Sequence, residues 1–579
     1  PRYYEIYEQY LEQGLFRLPV NALLLDHTQV RMSKGSNEDI LINREGNAES
    51  QYIYWEEGIE WLEWDIEVET EGLYEIEIEY MAVTGKTRRD IERSLYIDGE
   101  IPYKESENIV LFRLWHETEK PKVNHVGDEV WPKQEELVRW NRIAVYDKVA
   151  VYPEPLKFHL TKGSHTIRLS YVAEPVMLGE IKLRPVKTYG NYAEYIQKYI
   201  NEDAKNYNGS DIRFEAEDHV AEKNNPAVRR ESDPDPAASP ISRGARTLNV
   251  YGGWRWREGN QSITWEFEVP EDGLYNIGIK VLQTNGKGLP AYRRIEIDGE
   301  VPFYELNNYR FSYNNKWQME VLGDKDNDYM FFLTRGTHTI TMTVTMGRIG
   351  EISLAIEKDA LLLSGILRHI FMLAGSEPDP NFNYEFEKNI PDMVPGIQKI
   401  ISNIQDYLQT LDEICTRVPE VYNLLSMVRN NLTEFISDRY KMAARVNDLR
   451  SVQDTLTTVY LDLKYSFMAV DYFIIGKRDN QWMKGIKSNM FQQTYTTLCN
   501  FIRSFYVDYN AVSGMIDAQN KEYQVLNIWI GMGMEWAEIL KNLADELFTP
   551  ETGIVLNVNL VPPSTFQTQS GGVNVLLLA

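Results

Sequence analysis

Cysteine is nearly absent from this chain: 579 residues carry two, Cys415 and Cys499. That scarcity excludes a disulfide-built scaffold and a zinc ribbon; the two are either free thiols or one disulfide. Long apolar runs are missing as well. The most apolar stretch, Leu361 to Gly375, is about fifteen residues and contains Arg368 and His369, too short and too charged to span a bilayer, so it reads as a buried helix. Positive charge is scarce: 60 Lys plus Arg against 86 Asp plus Glu give a net charge of −26, a field that repels phosphate backbones and anionic membrane surfaces and excludes nucleic acid as a partner. There are eight histidines and no HExxH, GxSxG or GxxxxGK[ST] motif. Gly531-Met532-Gly533 follows a strand pattern, but Trp536 stands where a dinucleotide turn needs its third glycine. The expectation is a protein without catalysis. No basic-apolar signal pattern opens the chain at Pro1, and an apolar run closes it at Val573 to Ala579, so it is expected to be a fragment of a longer, processed protein.

What is present is a repeat. Trp64-Asp65-Ile66-Glu67-Val68 with Glu71-Gly72-Leu73-Tyr74 recurs as Trp265-Glu266-Phe267-Glu268-Val269 with Asp272-Gly273-Leu274-Tyr275, an offset of 201 residues from Trp64 to Trp265. Ile97-Asp98-Gly99-Glu100 recurs at Ile297-Asp298-Gly299-Glu300, and Leu160 to Ile167 recurs at Leu333 to Ile340. The falling offset, 200 and then 173, places an insertion of about 27 residues in the first copy, around Glu117 to Asp147, with Trp131 and Trp140 inside it. Each block alternates apolar and polar residues with period two and is punctuated by Asp-Gly or Lys-Gly, which is the grammar of half-buried antiparallel strands and tight hairpins. Many short strands with such turns make a β-sandwich or jelly roll. A tyrosine-rich helix precedes each copy, at Tyr4 to Tyr7 and Tyr192 to Tyr195, and the proline-rich Asp233 to Pro240 predicts an exposed loop.

The period then changes. Ile397, Ile401, Ile404, Leu408 and Leu411, and Val421, Leu424, Leu425, Val428, Leu432 and Phe435, lie three or four apart and predict amphipathic helices around a bundle core. After Gly514 come a strand at Val525 to Ile530, a glycine turn, a helix through Leu547 and a strand at Ile554 to Leu560, the opening of an α/β unit. The predicted architecture is therefore multi-domain: β-sandwich module 1 over 1–188 and module 2 over 189–358, each with an N-terminal helix, an α-helical domain over 359–520, and an α/β domain beginning at 521–579.

Aromatics are the informative class, with 13 Trp and 36 Tyr. Sugar recognition needs flat rings for the apolar face of a pyranose and amides for its hydroxyl rim. Trp254, Trp256, Tyr309, Tyr313, Asn314 and Trp317, crowded in the second copy, together with Trp115 in the first, are the candidate ligand-binding residues; core packing is the alternative for each tryptophan. Glu215 and Glu217 share one side of a predicted strand, and either hold a hard cation such as calcium or face solvent. Asp324-Lys325-Asp326-Asn327-Asp328 begins like a calcium loop, but Tyr329 and Arg335 occupy its glycine and glutamate positions, which excludes an EF-hand and leaves a weaker calcium site or a solvated acidic loop. His165 and His338 sit at equivalent repeat positions, which points to a structural role.

The repeats, with Phe214-Glu215-Ala216-Glu217 opening the second, resemble family 6 and family 35 carbohydrate-binding modules. In those modules the opening glutamates help to hold a structural calcium together with an aspartate of the last strand. Here Gly350-Glu351-Ile352-Ser353-Leu354 is expected to be that strand, with serine at the aspartate, and Leu24-Leu25-Asp26-His27 replaces the glutamates in the first copy. Ile528-Trp529-Ile530-Gly531-Met532-Gly533 through Phe548-Thr549-Pro550-Glu551-Thr552-Gly553-Ile554 resembles the start of a family 1 extracellular solute-binding protein. The domain order is similar to the large YtcQ-like members from Gram-positive bacteria. The resemblance implies a surface lipoprotein that takes up oligo- or polysaccharide and hands sugar to the permease of a carbohydrate ABC transporter. Two other readings remain open: rigid spacer or protein-docking modules without sugar affinity, and an accessory region of a polysaccharide-degrading enzyme.

Overall fold

The structure is a computed structural model and describes residues 1–12, 19, 21–35, 40–44, 47–84, 87, 89–124, 127–438, 440–505, 524–531, 533–560 and 575–578.

The repeat folds as two β-sandwiches with the same strand register. In the first, β1 (Asn47–Trp55), β2 (Trp61–Val68), β3 (Gly72–Ala82) and β4 (Ile91–Ile97) lead to an inserted stretch carrying β5 (Leu114–Glu117) and β6 (Gln134–Leu137), and then to β7 (Asn141–Ala144), which pairs with β3 as Gln318–Val321 pairs with Gly273–Leu282 in the second module. The module closes with β8 (Gly163–Ala173) and β9 (Val176–Pro185). One sheet has β8 between β2 and β4; the other has β3 flanked by β7 and β9, with β1 on the far side of β9. The second module repeats this with β10 (Ile212–Glu215), β11 (Val220–Lys223), β12 (Val250–Gly253), β13 (Ser262–Val269), β14 (Gly273–Leu282), β15 (Ala291–Ile297) and β16 (Gly336–Thr345).

Alternation does the local work. On β13 Ile263, Trp265, Phe267 and Val269 are buried while Glu266 and Glu268 are exposed. Asp98-Gly99 and Asp298-Gly299 each take two positive φ angles, 53° with 81° and 53° with 79°. That is the two-residue hairpin turn that matches strand twist. His165 Nδ1 and His338 Nδ1 lie 2.7 and 2.6 Å from Asp98 Oδ2 and Asp298 Oδ2 of these same turns, so both histidines brace a hairpin.

Two features cross the expected domain boundaries. First, the insertion of module 1 does not stay in module 1: β5 pairs with both β6 and β11, so the module 2 sheet runs β6-β5-β11-β13-β16-β15. Second, the expected last strand at Gly350 to Leu354 is helical, part of α3 (Gly347–Ala374), which follows α1 (Tyr3–Glu12) and α2 (Tyr192–Asn201). The strand that closes the second sandwich is β17 (Met468–Gly476), which pairs with β10, β12 and β14. It arrives only after α3, α4 (Met393–Ile414), α5 (Glu420–Ser437) and α6 (Val446–Asp462). The helical bundle is thus an insertion into the second sandwich at the position where β8 passes directly into β9 in the first. Met468, Val470, Phe473 and Ile475 of β17 are buried in the same core as Trp265 and Phe267. Burial of each such side chain is worth about 1.5–3 kcal/mol, which explains how a strand so far along the chain is held.

The bundle core contains Ile397, Ile404, Leu408, Leu411, Val421, Leu425, Val428, Leu432 and Phe435, as the periodicity predicts, with Ile401 and Leu424 packed at its margin. Within Leu361 to Gly375 only one face is buried: Leu363, Ile366, Leu367 and Ile370 are enclosed, whereas Leu361 and Met372 are exposed. Among the described residues no helix is long and apolar enough to cross a membrane. Cys415 and Cys499 are both free thiols.

After α7 (Met490–Arg503), the α/β opening forms as the sequence predicts. β18 (Gln524–Ile530) is followed by α8 (Met534–Leu543), and β19 (Ile554–Leu560) and β20 (Val575–Leu578) both run parallel to β18. Gly553, at φ 68°, ends the helical segment and turns the chain into β19.

Candidate functional site

The side chains that can meet a ligand gather at one end of the second sandwich, where the loops after β12 and before β17 adjoin. Gly252 and Gly253 hold φ of 95° and 61°. A side chain at Gly253 would place its Cβ 2.3 Å from Glu231 Oε2, and one at Gly252 would sit 2.9 Å from the Met468 carbonyl. These two positions therefore require glycine. The turn they make separates the next two tryptophans. Trp254 is thrown outward, 44% exposed, while Trp256 is fully buried, donating Nε1–H to the Gln261 carbonyl at 3.0 Å and meeting Trp265 edge to face.

Trp254 does not stand alone. It stacks on Phe467 with centroids 5.0 Å apart and planes 22° from parallel. The Arg257 guanidinium lies 4.2 Å from the Trp254 ring centre, and also caps Tyr465 and Phe467. Beside this aromatic surface is a depression of about 200 Å³ lined by Asp233, Gly253, Gln283, Asn285, Phe467 and neighbouring residues. A rigid aromatic surface next to amide and carboxylate groups is the arrangement that stacks one face of a sugar and hydrogen-bonds its rim.

The other candidate residues are placed differently. Trp317 is buried and donates Nε1–H to Asp233 Oδ2 at 3.1 Å, so it anchors the Asp-Pro loop from beneath. Tyr309 is buried with its hydroxyl on Glu320 Oε1 at 2.9 Å. Trp115 is buried on β5 where that strand meets Lys223. For Trp115, Trp256, Tyr309 and Trp317 the ligand-stacking expectation is corrected: a ring enclosed by its own module has no open face. Tyr313 and Asn314 are partly exposed, and the Asn314 side chain bonds Gln318 and the Lys316 amide. The Asp233 to Pro240 loop is irregular as expected but not exposed throughout: Ala237 and Ala238 are buried, because Lys280 donates its ammonium to the Ala237 carbonyl and Asp471 accepts from the Ser239 amide. The Asp324 loop is a tight turn in which Asp324 Oδ1 accepts from the amides of Asp326 and Asn327.

Behind this end of the module lies a group of carboxylates. β10 ends at Glu215, Glu217 follows in a single 3-10 turn, and Glu215 pairs across to Tyr472, next to Asp471 on β17. Asp471 lies on the last strand of this sandwich, which the sequence had placed at Gly350 to Leu354. Burial pushes the Glu217 carboxyl up to about 9, and the neighbouring charges of Glu215, Asp218 and Asp471 add to the rise. Burial also pushes Asp471 up to about 6, opposed by the Lys280 ammonium 2.8 Å away. Glu215 Oε2 and Glu217 Oε2 are buried without a hydrogen-bond partner. This oxygen-only donor set is the chemistry that calcium takes. Among the described residues, however, no three acidic, histidine or cysteine side chains are grouped closely enough to hold a metal by themselves.

Sequence reasoning missed Tyr465, Phe467, Lys280 and Asp471. Met468 to Gly476 carried a usable signal, a nine-residue, largely apolar run ending in glycine within a region of helical period.

No family model matches this chain, and no curated protein does. Solved structures do match. A family 35 carbohydrate-binding module from Clostridium thermocellum is 13% identical, covers 28% of this chain and 98% of its own, at a TM-score of 0.16. The family 35 module of Cellvibrio japonicus Abf62 is 18% identical over 29% of this chain and 95% of its own, at 0.18. A Paenibacillus xanthan lyase is 12% identical over 57% of this chain and 25% of its own, at 0.16. Likenesses of this strength do not bear on function.

Proposed function

We propose that this protein binds oligo- or polysaccharide through the exposed end of its second sandwich, without covalent chemistry, and that it does so outside the cell. The observation that carries this reading is Trp254, exposed yet fixed against Phe467 beside a depression with polar walls. A side chain of that size held open to solvent by two obligatory glycines is what a stacking surface requires, since an ordered ring loses little further entropy on binding. The antiparallel sandwich of each repeat supports the resemblance to carbohydrate-binding modules that the sequence motifs suggested. Glu215 and Glu217 each leave one buried oxygen without a hydrogen-bond partner, but with Asp471 held by Lys280 they do not form, among the described residues, a group that could hold a metal, and the proposal uses none.

The finer part of the proposal concerns the α/β opening. By its resemblance to family 1 solute-binding proteins it belongs to a surface lipoprotein that passes sugar to an ABC transporter permease. A second reading, a rigid spacer, draws on the sheet shared between the modules. Calorimetric titration of the full chain with a panel of plant and microbial glycans separates the two. Saturable binding that weakens at least ~10-fold, or ~1.4 kcal/mol, in Trp254→Ala upholds the carbohydrate reading. A blank panel leaves the spacer.

A further inference from the structure

Between the two sandwiches lies a cleft of about 410 Å³, within the ~300–1,000 Å³ of small-ligand sites. Its floor is the outer face of the module 2 sheet. Residues there form a lattice fixed by strand register: Ser262 opposite Thr343 opposite Arg294, and one step along, Thr264 opposite Thr341 opposite Glu296. Its other wall comes chiefly from module 1, with Asn141 to Ala144 of β7, Arg184 of β9 and the Tyr146 ring, joined by Tyr189 at the start of module 2.

The repeat shows that this floor is not dictated by the fold. In the first copy the same six lattice positions, in the same register, hold Trp61, Ser170 and Ser94, then Glu63, Arg168 and Tyr96. There Arg168 packs over the Trp61 ring at 4.7 Å and bonds Glu63 at 2.7 Å, filling the surface. The second copy replaces Trp61, Glu63 and Arg168 by Ser262, Thr264 and Thr341. Small hydroxyl side chains stand where the first copy has a ring, a carboxylate and a guanidinium, and Arg294 takes the place of Ser94 beside them.

The walls are held in place. β5 and β6 of module 1 belong to the module 2 sheet. Asn260 Nδ2 donates to the Asp147 carbonyl at 2.7 Å, Arg294 Nη1 donates to the Pro153 carbonyl at 3.1 Å, and Lys187 pairs with Glu300. A cleft that is already organised spares a ligand the cost of ordering it.

The charges indicate what fits. Each cation on the walls already has a carboxylate: Arg142 with Glu79 and Glu180, Arg184 with Glu75 and Glu77, Lys187 with Glu300, and Arg294 with Glu296. Among the described residues that line the cleft, no cation is left without a carboxylate for a phosphate or sulfate to meet. Hydroxyls and amides remain as the uncharged groups of the cleft; the Tyr146 and Tyr189 rings face Arg294 and Lys187 at 4.2 and 5.4 Å, and Arg294 Nε lies 3.3 Å from Glu296 Oε1. We propose that this cleft is a second binding site, between the modules, for a short neutral oligosaccharide. This rests on the carbohydrate reading above but does not use Trp254.

The test is calorimetric titration of the full chain with neutral manno-, xylo-, cello- and galacto-oligosaccharides, comparing wild type, Trp254→Ala and Thr341→Trp, which refills the cleft. The expected result is that Thr341→Trp loses a binding event, or at least ~10-fold in affinity, while Trp254→Ala retains it. Should Thr341→Trp lose its fold by circular dichroism, Asn141→Trp blocks the cleft from the opposite wall. Loss in the blocked variant upholds the cleft, whether or not Trp254→Ala also weakens binding. Binding that disappears in Trp254→Ala alone overturns the cleft and leaves the carbohydrate reading intact. A wild type that binds none of these sugars, nor any polysaccharide, sinks both.

Discussion

The Lys280 ammonium lies 2.8 Å from the Asp471 carboxylate, with both side chains buried in the second sandwich. The pair ties β14 to β17, strands that the sequence separates by the entire helical bundle, and the same ammonium reaches the Ala237 carbonyl of the Asp-Pro loop. One buried cation thus joins the closing strand, the loop beside the candidate ligand site and the carboxylate group behind it.

Removing that cation strands a buried carboxylate. Lys280→Met is expected to destabilise the protein by ~3–5 kcal/mol, read by urea denaturation of the transition that contains the second sandwich. A loss below ~1 kcal/mol would show that water already reaches Asp471.

The two tryptophans that flank Arg255 should separate stability from binding. Trp256→Ala empties the core and is expected to cost ~3–5 kcal/mol. Trp254→Ala removes an exposed ring and should change the melting temperature little while weakening glycan binding. If both variants lower stability equally and neither alters binding, Trp254 is a packing residue.

Glu217 makes the stability of the second sandwich depend on pH. Its carboxyl is raised to about 9 by burial and by Glu215, Asp218 and Asp471. The folded state therefore holds a proton that the unfolded state releases above its ordinary value, and this contribution falls as pH rises towards 9. Glu217→Gln should flatten that fall, measured by denaturant midpoint against pH. A profile that is unchanged in the variant would mean that the Glu217 carboxyl titrates alike in the folded and unfolded chain.

His165 gives a dependence of the same sign in a different pH window. Burial lowers its proton affinity, but the bond to Asp98, the Thr161 carbonyl and the charges of Asp98 and Glu67 outweigh this and raise it. Its contribution to stability is complete below the ordinary histidine value and is lost as pH rises through the raised one. His165→Gln should flatten the stability profile on that alkaline side, measured by denaturant midpoint against pH. An unchanged profile would mean the Asp98 bond is equally strong to neutral imidazole.

How much of this was legible in the sequence depended on range. Local signals held: the repeat, the Asp-Gly hairpins, the apolar alternation of Ser262 to Val269, the helical stripes of Met393 to Ser437, and the α/β opening. Trp254 and Trp256, by contrast, look alike in sequence. Their opposite fates follow from the positive φ angles at Gly252 and Gly253, which break the alternation that would have put both on one face.

The sequence by itself determined that two sandwiches form, because a two-residue period with turn residues is satisfied by each segment wherever its partner lies. Only the tertiary structure decided which strand closes the second sandwich, that module 1 lends β5 and β6 to its neighbour, and that Asp471 joins Glu215 and Glu217. A strand's own residues fix the face it buries but not the edge it bonds to. That edge is selected by long-range pairing and by the apolar surface left uncovered, which no local pattern records.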